Sequence, residues 1–281
     1  MKFSVKNRYN GEEICSGEAP SLKALIQTVV ESNKKFSMAN LAGQDLSGLD
    51  LGRIELNEAK LTEANLTGTN MYDANLEDAD LTGAELSEAR LLGAKLCGAS
   101  LMNANLAGAN LLRCDLTRAD LTGVVLCEAT LFGADLSHSR LCEADLSRAT
   151  LTEAIFSHAN MYRAKLWKAK LSRATLNRAK LVEADLSGCE LSNASFFRAD
   201  LSNANLSGVL AFRATMNEVD LSGANLHNSS LWGALMVAAN LVGADVTDAN
   251  LHGADLTGAI LDDVDLSKAD TSRAIIISPR S

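Results

Sequence analysis

The sequence predicts an all-β solenoid, a chain wound into stacked square coils, and three features support this prediction. The first is a period of five: of the 46 positions taken every fifth residue from Leu41 to Leu266, 38 are Leu and the rest are apolar. The second is the position two residues earlier, where Ala fills 34 of the 46. The third is a composition with only 4% aromatic residues and two Pro, which suits a thin core of aliphatic side chains.

A period of five matches neither the 3.6-residue period of an α-helix nor the two-residue period of a strand. Two inward positions in every five residues require a bend in each repeat, and four such bends make a square. The large residue then fills the middle of a side. The small residue two positions before it lies near the corner, where the backbone is crowded.

Many segments share one pattern, and three of them are Ala64–Gly68, Ala79–Gly83 and Ala254–Gly258. They resemble the A(D/N)LXX motif of pentapeptide-repeat proteins, and the resemblance covers roughly residues 36–276. It implies a right-handed quadrilateral parallel β-helix in which four pentapeptides form one coil. The chain would then have about 11–12 coils and, at ~4.8 Å per coil, a length of ~55 Å.

The sequence before the repeats predicts a small cap of strand and helix over residues 1–35, followed by the solenoid at 36–276 and a C-terminal tail at 277–281. Lys2–Lys6 alternates like a strand, and Asn10-Gly11 is a hairpin-turn signal. Ser21 is the expected N-cap of a short α-helix. The apolar residues that share one face of this helix are Leu22, Leu25, Ile26, Val29 and Val30.

The end of the repeats is the apolar run Ile275–Ile277. One interpretation is a homodimer surface, as the C-terminal ends are in several members of the family that the motif resembles. The other is that these side chains only close the last coil, and the sequence leaves both open.

Charge is distributed unevenly along the chain, whose formal net charge is −9. The solenoid is acidic near both ends, so direct binding of nucleic acid is not expected. One coil, residues 161–180, contains seven basic residues and no acidic ones, and we call these seven the basic collar. They are Arg163, Lys165, Lys168, Lys170, Arg173, Arg178 and Lys180. The collar is interpreted either as cross-coil charge pairing or as a docking ring for an acidic partner or phosphate.

Residues 20 apart should lie above one another in a column. One column, at the residue after the central Leu, is rich in apolar side chains, and two further apolar residues lie close to it. Together they form a candidate interface that we call the apolar stripe: Tyr72, Leu92, Leu112, Phe132, Leu210, Phe212, Trp232 and Leu235. Such stripes mark interfaces, although neighbouring side chains can also cover them in part.

A second column is basic: Arg118, His138, His158, Arg178 and Arg198. Its two stacked histidines would be poor metal ligands between arginines, so we expect solvated surface and no metal site. The four histidines show no Cys or Ser partner in a neighbouring column, so we expect no nucleophile–base pair. Gly-rich phosphate-binding motifs are also missing. These observations predict a protein that is not an enzyme and binds no cofactor.

The N-terminus has no apolar signal-peptide core, and no apolar run is long enough to span a membrane. Six cysteines without a CxxC pair suit a reducing, cytoplasmic location. Cys114 and Cys189 occupy the small inward position, so we expect both to be buried and inert.

The sequence leaves two candidate functions for the protein. The first is a non-catalytic scaffold rod that binds a protein partner through its outer faces. The alternative is a DNA mimic that binds a type II topoisomerase such as DNA gyrase, as some pentapeptide-repeat proteins do. The chain shares the rod and the acidic ends with those proteins. It departs from them in its basic centre, its lack of phase-breaking loops and its few central Phe residues.

Overall fold

The computed structural model describes residues 1–31 and 35–277, and its regular elements begin at the N-terminus. Strand β1 (Lys2–Lys6) pairs with strand β2 (Glu13–Glu18) in an antiparallel sheet. Helix α1 (Leu22–Glu31) follows. Beyond α1, the described chain is a series of five-residue units, interrupted near its end by a short 3-10 helix at Leu266–Lys268.

Helix α1 starts where a side chain caps it and covers the first coil with its apolar face. The Ser21 hydroxyl accepts the Ala24 backbone N–H at 3.1 Å, which satisfies one of the free donors at a helix N-terminus. Leu25, Ile26 and Val29 are buried and belong to the same apolar core as the repeats.

The residues after β1 also pair with the first repeats. Asn7 forms an antiparallel bridge with Ala39, and the Asn40 N–H donates to the Lys6 carbonyl at 2.8 Å. The N-terminal edge of the repeats is therefore covered by hydrogen-bonded backbone as well as by α1, as an exposed edge requires.

The repeats form a stack of coils, each 20 residues long. Parallel bridges join residue i to residue i+20 from Asn40↔Lys60 to Asp255↔Ile275. Each coil therefore contains four pentapeptides. The central residue and the small residue two positions earlier are buried along the stack, as the five-residue period predicts.

The repeat centred on Leu186 shows how the backbone is satisfied. The N–H groups of Leu186 and Gly188 donate to carbonyls of the next coil at 2.8 and 2.9 Å, and the Cys189 N–H closes a turn onto the Leu186 carbonyl at 3.0 Å. The Ser187 N–H instead donates to the Asp185 carboxylate at 3.0 Å. Asp or Asn before the central Leu thus pairs a donor that the coils leave free.

The turn in each repeat places the second residue after the centre in the left-handed region. Gly253 lies there with φ +65°, but Arg, Glu, Asn and His occupy the same position elsewhere, as in His158 with φ +60°. Gly is favoured at such a position because it has no Cβ to clash. At corners that carry a long side chain instead, the turn aims it outward, where its charge can meet one from the next coil.

The register is expected to run unbroken through Leu266, and the structure departs from this in the last coil. The bridges reach Asn240↔Ile260 and resume at Asn250↔Asp270, so Asp265 forms none. Its carboxylate accepts the N–H and the hydroxyl of Ser267 at 3.2 and 2.6 Å. Asp270 accepts the same two bonds from Ser272 and still forms its bridge, so this local bonding does not by itself explain the 3-10 helix.

Three buried polar residues replace Ala at the small inward position: Thr69, Ser139 and Ser229. The hydroxyls of Thr69 and Ser139 donate to the carbonyls of Leu66 and Leu136 at 2.7 and 2.6 Å. Among the described residues, the Ser229 hydroxyl has no partner. A buried hydroxyl without a hydrogen bond lowers stability.

We therefore expect Ser229→Ala to raise the free energy of unfolding by about 1 kcal/mol, measured by urea titration. Ala occupies this position in most repeats, so the backbone need not move. Ser139→Ala is the matched control and should lower the free energy of unfolding, because it removes a hydrogen bond. Equal effects of the two substitutions would contradict the conclusion that the Ser229 hydroxyl is buried without a hydrogen-bond partner.

Candidate interaction surface

The apolar stripe lies on the outside of the coils in two parts. The first part contains Tyr72, Leu92, Leu112 and Phe132, and the second contains Leu210, Phe212, Trp232 and Leu235. In the first part only Leu92 is exposed, with 44% of its surface accessible, and the other three side chains are half-buried. All four members of the second part are exposed. The polar residues of three intervening coils separate the two parts.

Tyr72 shows why the first part is less exposed. Its ring lies over Gly52 in the coil below, where a Cβ atom would collide with the ring. The Arg53 guanidinium lies 5.3 Å from the ring centroid, within the range of a cation–π contact. Neighbouring groups thus cover part of the stripe, and its lower end is packed against the backbone.

The basic collar is spread around a single coil rather than gathered on one patch. Arg163 pairs with Glu183 at 2.6 Å, and Arg173 pairs with Glu153 at 2.7 Å. Lys168 lies 4.5 Å from the centroid of the Trp167 ring. Among the described residues, the other five collar cations have no carboxylate within 4.0 Å.

Most ion pairs of the described chain join adjacent coils through residues 20 apart. An example is Arg198 with Glu218 at 2.7 Å, and another is Arg148 with Glu128 at 3.3 Å. Their side chains are 43–62% exposed, so each contributes only about 0.2–1 kcal/mol. Cross-coil pairing accounts for two collar residues and leaves the rest of the collar charge unneutralised.

The histidines of the basic column stack on each other. The His138 and His158 rings are 4.8 Å apart and 3° from parallel. In the described part of the chain, no group of three or more His, Cys, Asp or Glu side chains is placed to hold a metal ion.

His252 has a Ser partner in its own column, whereas the expectation concerned partners in neighbouring columns. Its Nδ1 lies 2.7 Å from the hydroxyl oxygen of Ser272, one coil further along the same column. That hydroxyl donates to the Asp270 carboxylate at 2.5 Å, so it is not aligned to give its proton to the imidazole. The residue after the central Leu repeats every 20 positions, and this spacing could have revealed the contact.

Two cysteine thiols lie inside the coils. Cys114 and Cys189 are buried, and burial raises the pKa of each thiol to about 12. Each Sγ donates to a main-chain carbonyl, that of Leu91 at 2.7 Å and that of Leu166 at 2.9 Å. Because the thiolate is the nucleophile, these groups are unreactive in the folded protein.

The first coils carry a nearly continuous negative charge. Eleven acidic and two basic residues lie between Asp45 and Glu88, and we call this range the acidic segment. Asp73 is the only one of these acids with a basic side chain within 4.0 Å among the described residues. Hydrogen bonds from Ser47 lower the pKa of Asp45, so this carboxylate is charged at neutral pH.

Two exposed features of the surface were not predicted from the sequence. Trp167 is 41% exposed on the collar coil, and its position directly after Leu166 was a sufficient signal. The second is a groove of about 480 Å³ at the upper part of the stripe. Its lining residues are Arg213, Trp232, Gly233, Leu235, His252, Gly253 and Arg273. Reading residues 20 apart as a column would have shown two consecutive glycines between two arginines.

No helix within residues 1–31 and 35–277 combines the length and the apolar character needed to cross a membrane. The longest helix there, α1, has ten residues.

Comparisons with known proteins agree with the coil geometry. The family model "Pentapeptide repeats" matches the chain in overlapping segments over residues 35–167 and 169–272. A comparison with curated protein sequences finds no significant match.

Among solved structures, HetL from the cyanobacterium Nostoc is a pentapeptide repeat protein involved in heterocyst differentiation regulation. It is 32% identical over 89% of this chain and 97% of its own, with a TM-score of 0.45. QnrB1, a plasmid-mediated fluoroquinolone resistance protein, is 21% identical over 70% of this chain and 91% of its own, with a TM-score of 0.51. The likeness to QnrB1 is one of fold. The family model spans most of the sequence, and the chain belongs to the pentapeptide-repeat family.

Proposed function

We propose that this protein is a non-catalytic interaction rod that binds a protein partner through its outer faces. The observation that supports this most directly is the pair of apolar clusters on one column of an otherwise polar surface. Leu92, Phe212 and Trp232 each expose 38–44% of their surface. Exposed large apolar side chains that recur in register are typical of interfaces.

The proposed architecture of the rod is a right-handed, four-sided coil of about 11–12 turns. Parallel bridges at intervals of 20 residues support it, as does membership of the family. We assign residues 1–35 to the N-terminal cap, 36–276 to the solenoid and 277–281 to the tail. The last four tail residues lie outside the described residues.

The basic collar is proposed as a second contact surface, for an acidic partner. Lys165, Lys170 and Lys180 lie on three different sides of the coil and have no carboxylate within 4.0 Å among the described residues. A cytoplasmic location is also part of the proposal, because the six cysteines are free thiols, as expected in a reducing compartment.

Phe132→Asp tests the interaction function. We expect it to abolish retention of the partner when the immobilised protein is incubated with extract of its native cell, because a carboxylate would replace a half-buried ring in the contact. The measurement is the amount of each specifically retained protein, determined by mass spectrometry.

Thr152→Asp is the matched control, because Thr152 follows Phe132 in the same column one coil further on and is polar. It should retain the partner at the wild-type level. Retention of the same proteins by wild type, Phe132→Asp and Trp232→Asp would show that the stripe is ordinary surface.

A DNA mimic is the second candidate function, and the unpaired charge of the acidic segment favours it. Carboxylates such as Asp45 present fixed negative charge around the first coils, as a DNA backbone does. In this case the protein should inhibit DNA gyrase in a supercoiling assay or protect it from a quinolone at micromolar concentration. No effect at that concentration would exclude the DNA mimic and leave the interaction rod.

We also propose that two copies associate through their C-terminal ends. Ile275, Ile276 and Ile277 are 43–57% exposed, and Leu261 and Leu266, at central positions, are only partly buried. In these last described residues, the apolar interior of the coils reaches the surface.

A further inference from the structure

We propose that the groove beside Trp232 binds an extended acidic segment of a protein partner, with one acidic side chain at each end and an apolar one between them. This inference rests on the proposed interaction function and names the site and the chemistry of the partner. It follows from the shape of the groove, its two arginines and the length that separates them.

The groove exists because one column lacks side chains over two consecutive coils. The corner positions Arg213, Gly233, Gly253 and Arg273 are each 20 residues apart, and all four have φ between +53° and +65°. A Cβ atom on Gly253 would have no neighbour within 4 Å. Elsewhere this corner position often carries a long charged side chain, so the two glycines leave a trough with an arginine at each end.

Both arginines are available to an anion. Among the described residues, neither Arg213 nor Arg273 has a carboxylate within 4.0 Å. The Arg213 guanidinium lies 5.3 Å from the centroid of the Trp232 ring, which orients it without neutralising its charge. A planar guanidinium pairs with a carboxylate through two parallel hydrogen bonds.

Two carboxylates of the neighbouring columns accept hydrogen bonds from their own repeats. Asp255 accepts the Thr257 N–H at 3.0 Å, and Asp270 accepts the Ser272 hydroxyl at 2.5 Å. Ser272 in turn contacts His252 at 2.7 Å, which fixes the imidazole at the wall of the groove. Within the described part of the chain, neither Asp255 nor Asp270 forms an ion pair with Arg213 or Arg273 at 4.0 Å or less.

The middle of the groove is apolar. Trp232 and Leu235 line it and are 38% and 44% exposed. A side chain bound between the arginines would meet an indole ring and an aliphatic side chain. An apolar residue is favoured there over a third acid, because a carboxylate would lose its hydration without gaining a partner.

The spacing of the two corner positions favours one ligand pattern. The corner positions of Arg213 and Arg273 are three coils apart, so their backbones are about 14 Å apart at the usual spacing of paired strands. An extended peptide advances ~3.3 Å per residue, so acidic side chains four residues apart span the same length. In such a peptide, residues 1, 3 and 5 point to the same side. The predicted motif is acidic-x-apolar-x-acidic.

The open form of the groove favours a segment of a protein over a small molecule. Small-molecule sites enclose most of the surface of their ligand, whereas this groove is a shallow trough along the outside of the coils. The exposed side chains of Leu210 and Phe212 lie close to it, so a larger partner has further apolar surface to contact.

The experiment measures fluorescence anisotropy of three labelled peptides, Gly-Glu-Thr-X-Thr-Glu-Gly with X as Leu, Phe or Trp, titrated with the full-length protein. We expect saturable binding of at least one peptide. Replacing both Glu by Gln should weaken binding at least tenfold, and raising the salt concentration should weaken binding further.

Gly253→Asn fills the trough and should also weaken binding at least tenfold. The protein should still fold, because Asn already occupies the same corner position at Asn103, Asn193, Asn203 and Asn228 with φ of 55–58°. The matched control is Gly68→Asn, at a glycine with φ +62° that also has nothing within 4 Å. It lies in the acidic segment and should leave binding unchanged.

Failure of all three peptides to bind, or equal binding by Gly253→Asn and wild type, would overturn the inference. Competition by inorganic phosphate alone at the same concentration as the peptides would also overturn it, in favour of a small anion. The interaction function is tested separately: if Phe132→Asp abolishes capture of a partner while these peptides fail, the groove assignment is wrong and the interaction rod stands.

Discussion

Leu166→Asp is expected to abolish folding of the soluble protein. Leu166 is fully buried in the middle of the stack, and its backbone N–H donates to the Asp185 carbonyl of the next coil at 2.7 Å. Loss of the side chain alone costs about 2–5 kcal/mol in a packed core. A carboxyl group without a partner adds a further cost, and the sum approaches the 5–15 kcal/mol stability that is typical of proteins.

The position in the stack makes this effect larger. Each repeat contacts only its neighbours, so the stability of the whole depends on every interface between coils. A disrupted coil separates the capped N-terminal coils from those that follow. We therefore expect the variant in the insoluble fraction after expression, or as an expanded species in gel filtration.

The control is Thr175→Asp in the same region. Thr175 precedes a central Leu, where Asp is a common residue and can accept the N–H of Asn177. This variant should be soluble, with the wild-type circular dichroism spectrum and thermal midpoint. Leu166→Ala should fold with a stability lowered by about 2–5 kcal/mol. A Leu166→Asp protein that is soluble and unfolds cooperatively would place Leu166 outside the core.

The five-residue period was sufficient to predict which side chains are inside. Only a coil with two inward positions in five accounts for Leu and Ala at fixed spacing, and both positions are buried from Leu46 to Ala259. The helix start at Ser21 was predictable for a similar reason, because capping depends on local sequence. The 3-10 helix was not, since Asp265 has the same residue type as other bridge positions and differs only in its place in the last coil.

The pairing of the collar cations could be predicted only in part. Arg163 follows its central residue by two positions, and so does Glu183, so corner residues of opposite charge meet. Lys165 precedes its central residue, between Asp145 and Asp185, yet it has no ion pair. Those carboxylates accept backbone N–H groups of Ser147 and Ser187 at 2.9 and 3.0 Å, so local hydrogen bonds already hold them. The order of residues in a column does not show whether a carboxylate pairs with a cation of the next coil or bonds to its own backbone.

The stripe illustrates the same limit. Its column was correct as a set of outward positions, but exposure depends on the residue one coil below. Tyr72 is half-buried because Gly52 leaves space for its ring, whereas Leu92 is 44% exposed. The groove at Gly233 and Gly253 arises in the same way from side chains that are absent. A sequence pattern identifies surfaces by the large side chains that form them, whereas this groove is formed by two glycines that have no side chain.

Combined substitution of Ile275 and Ile277 by Asp is expected to convert a dimer into a monomer. The two side chains flank a central position and are 49% and 57% exposed. Burial of the exposed half of each would contribute roughly 1 kcal/mol to association, and a two-fold dimer counts every contact twice. Carboxylates at these positions would bring four like charges together and oppose association. The measurement is sedimentation equilibrium of the full-length protein over a range of concentrations.

Ile260→Asp is the control, because Ile260 is also apolar, 41% exposed and directly before a central Leu. It lies 16 residues before the end position Ile276, on a different side of the coils, and should leave the dimer intact, as should Phe132→Asp on the stripe. The second comparison is informative, because dissociation by Phe132→Asp would assign the dimer to the stripe and leave the C-terminal end without a role. A wild-type protein that is monomeric at ~100 μM, a concentration at which contacts worth more than about 5.5 kcal/mol would be populated, would contradict association through either surface. The apolar end would then only close the last coil, at the cost of leaving three isoleucines partly in water.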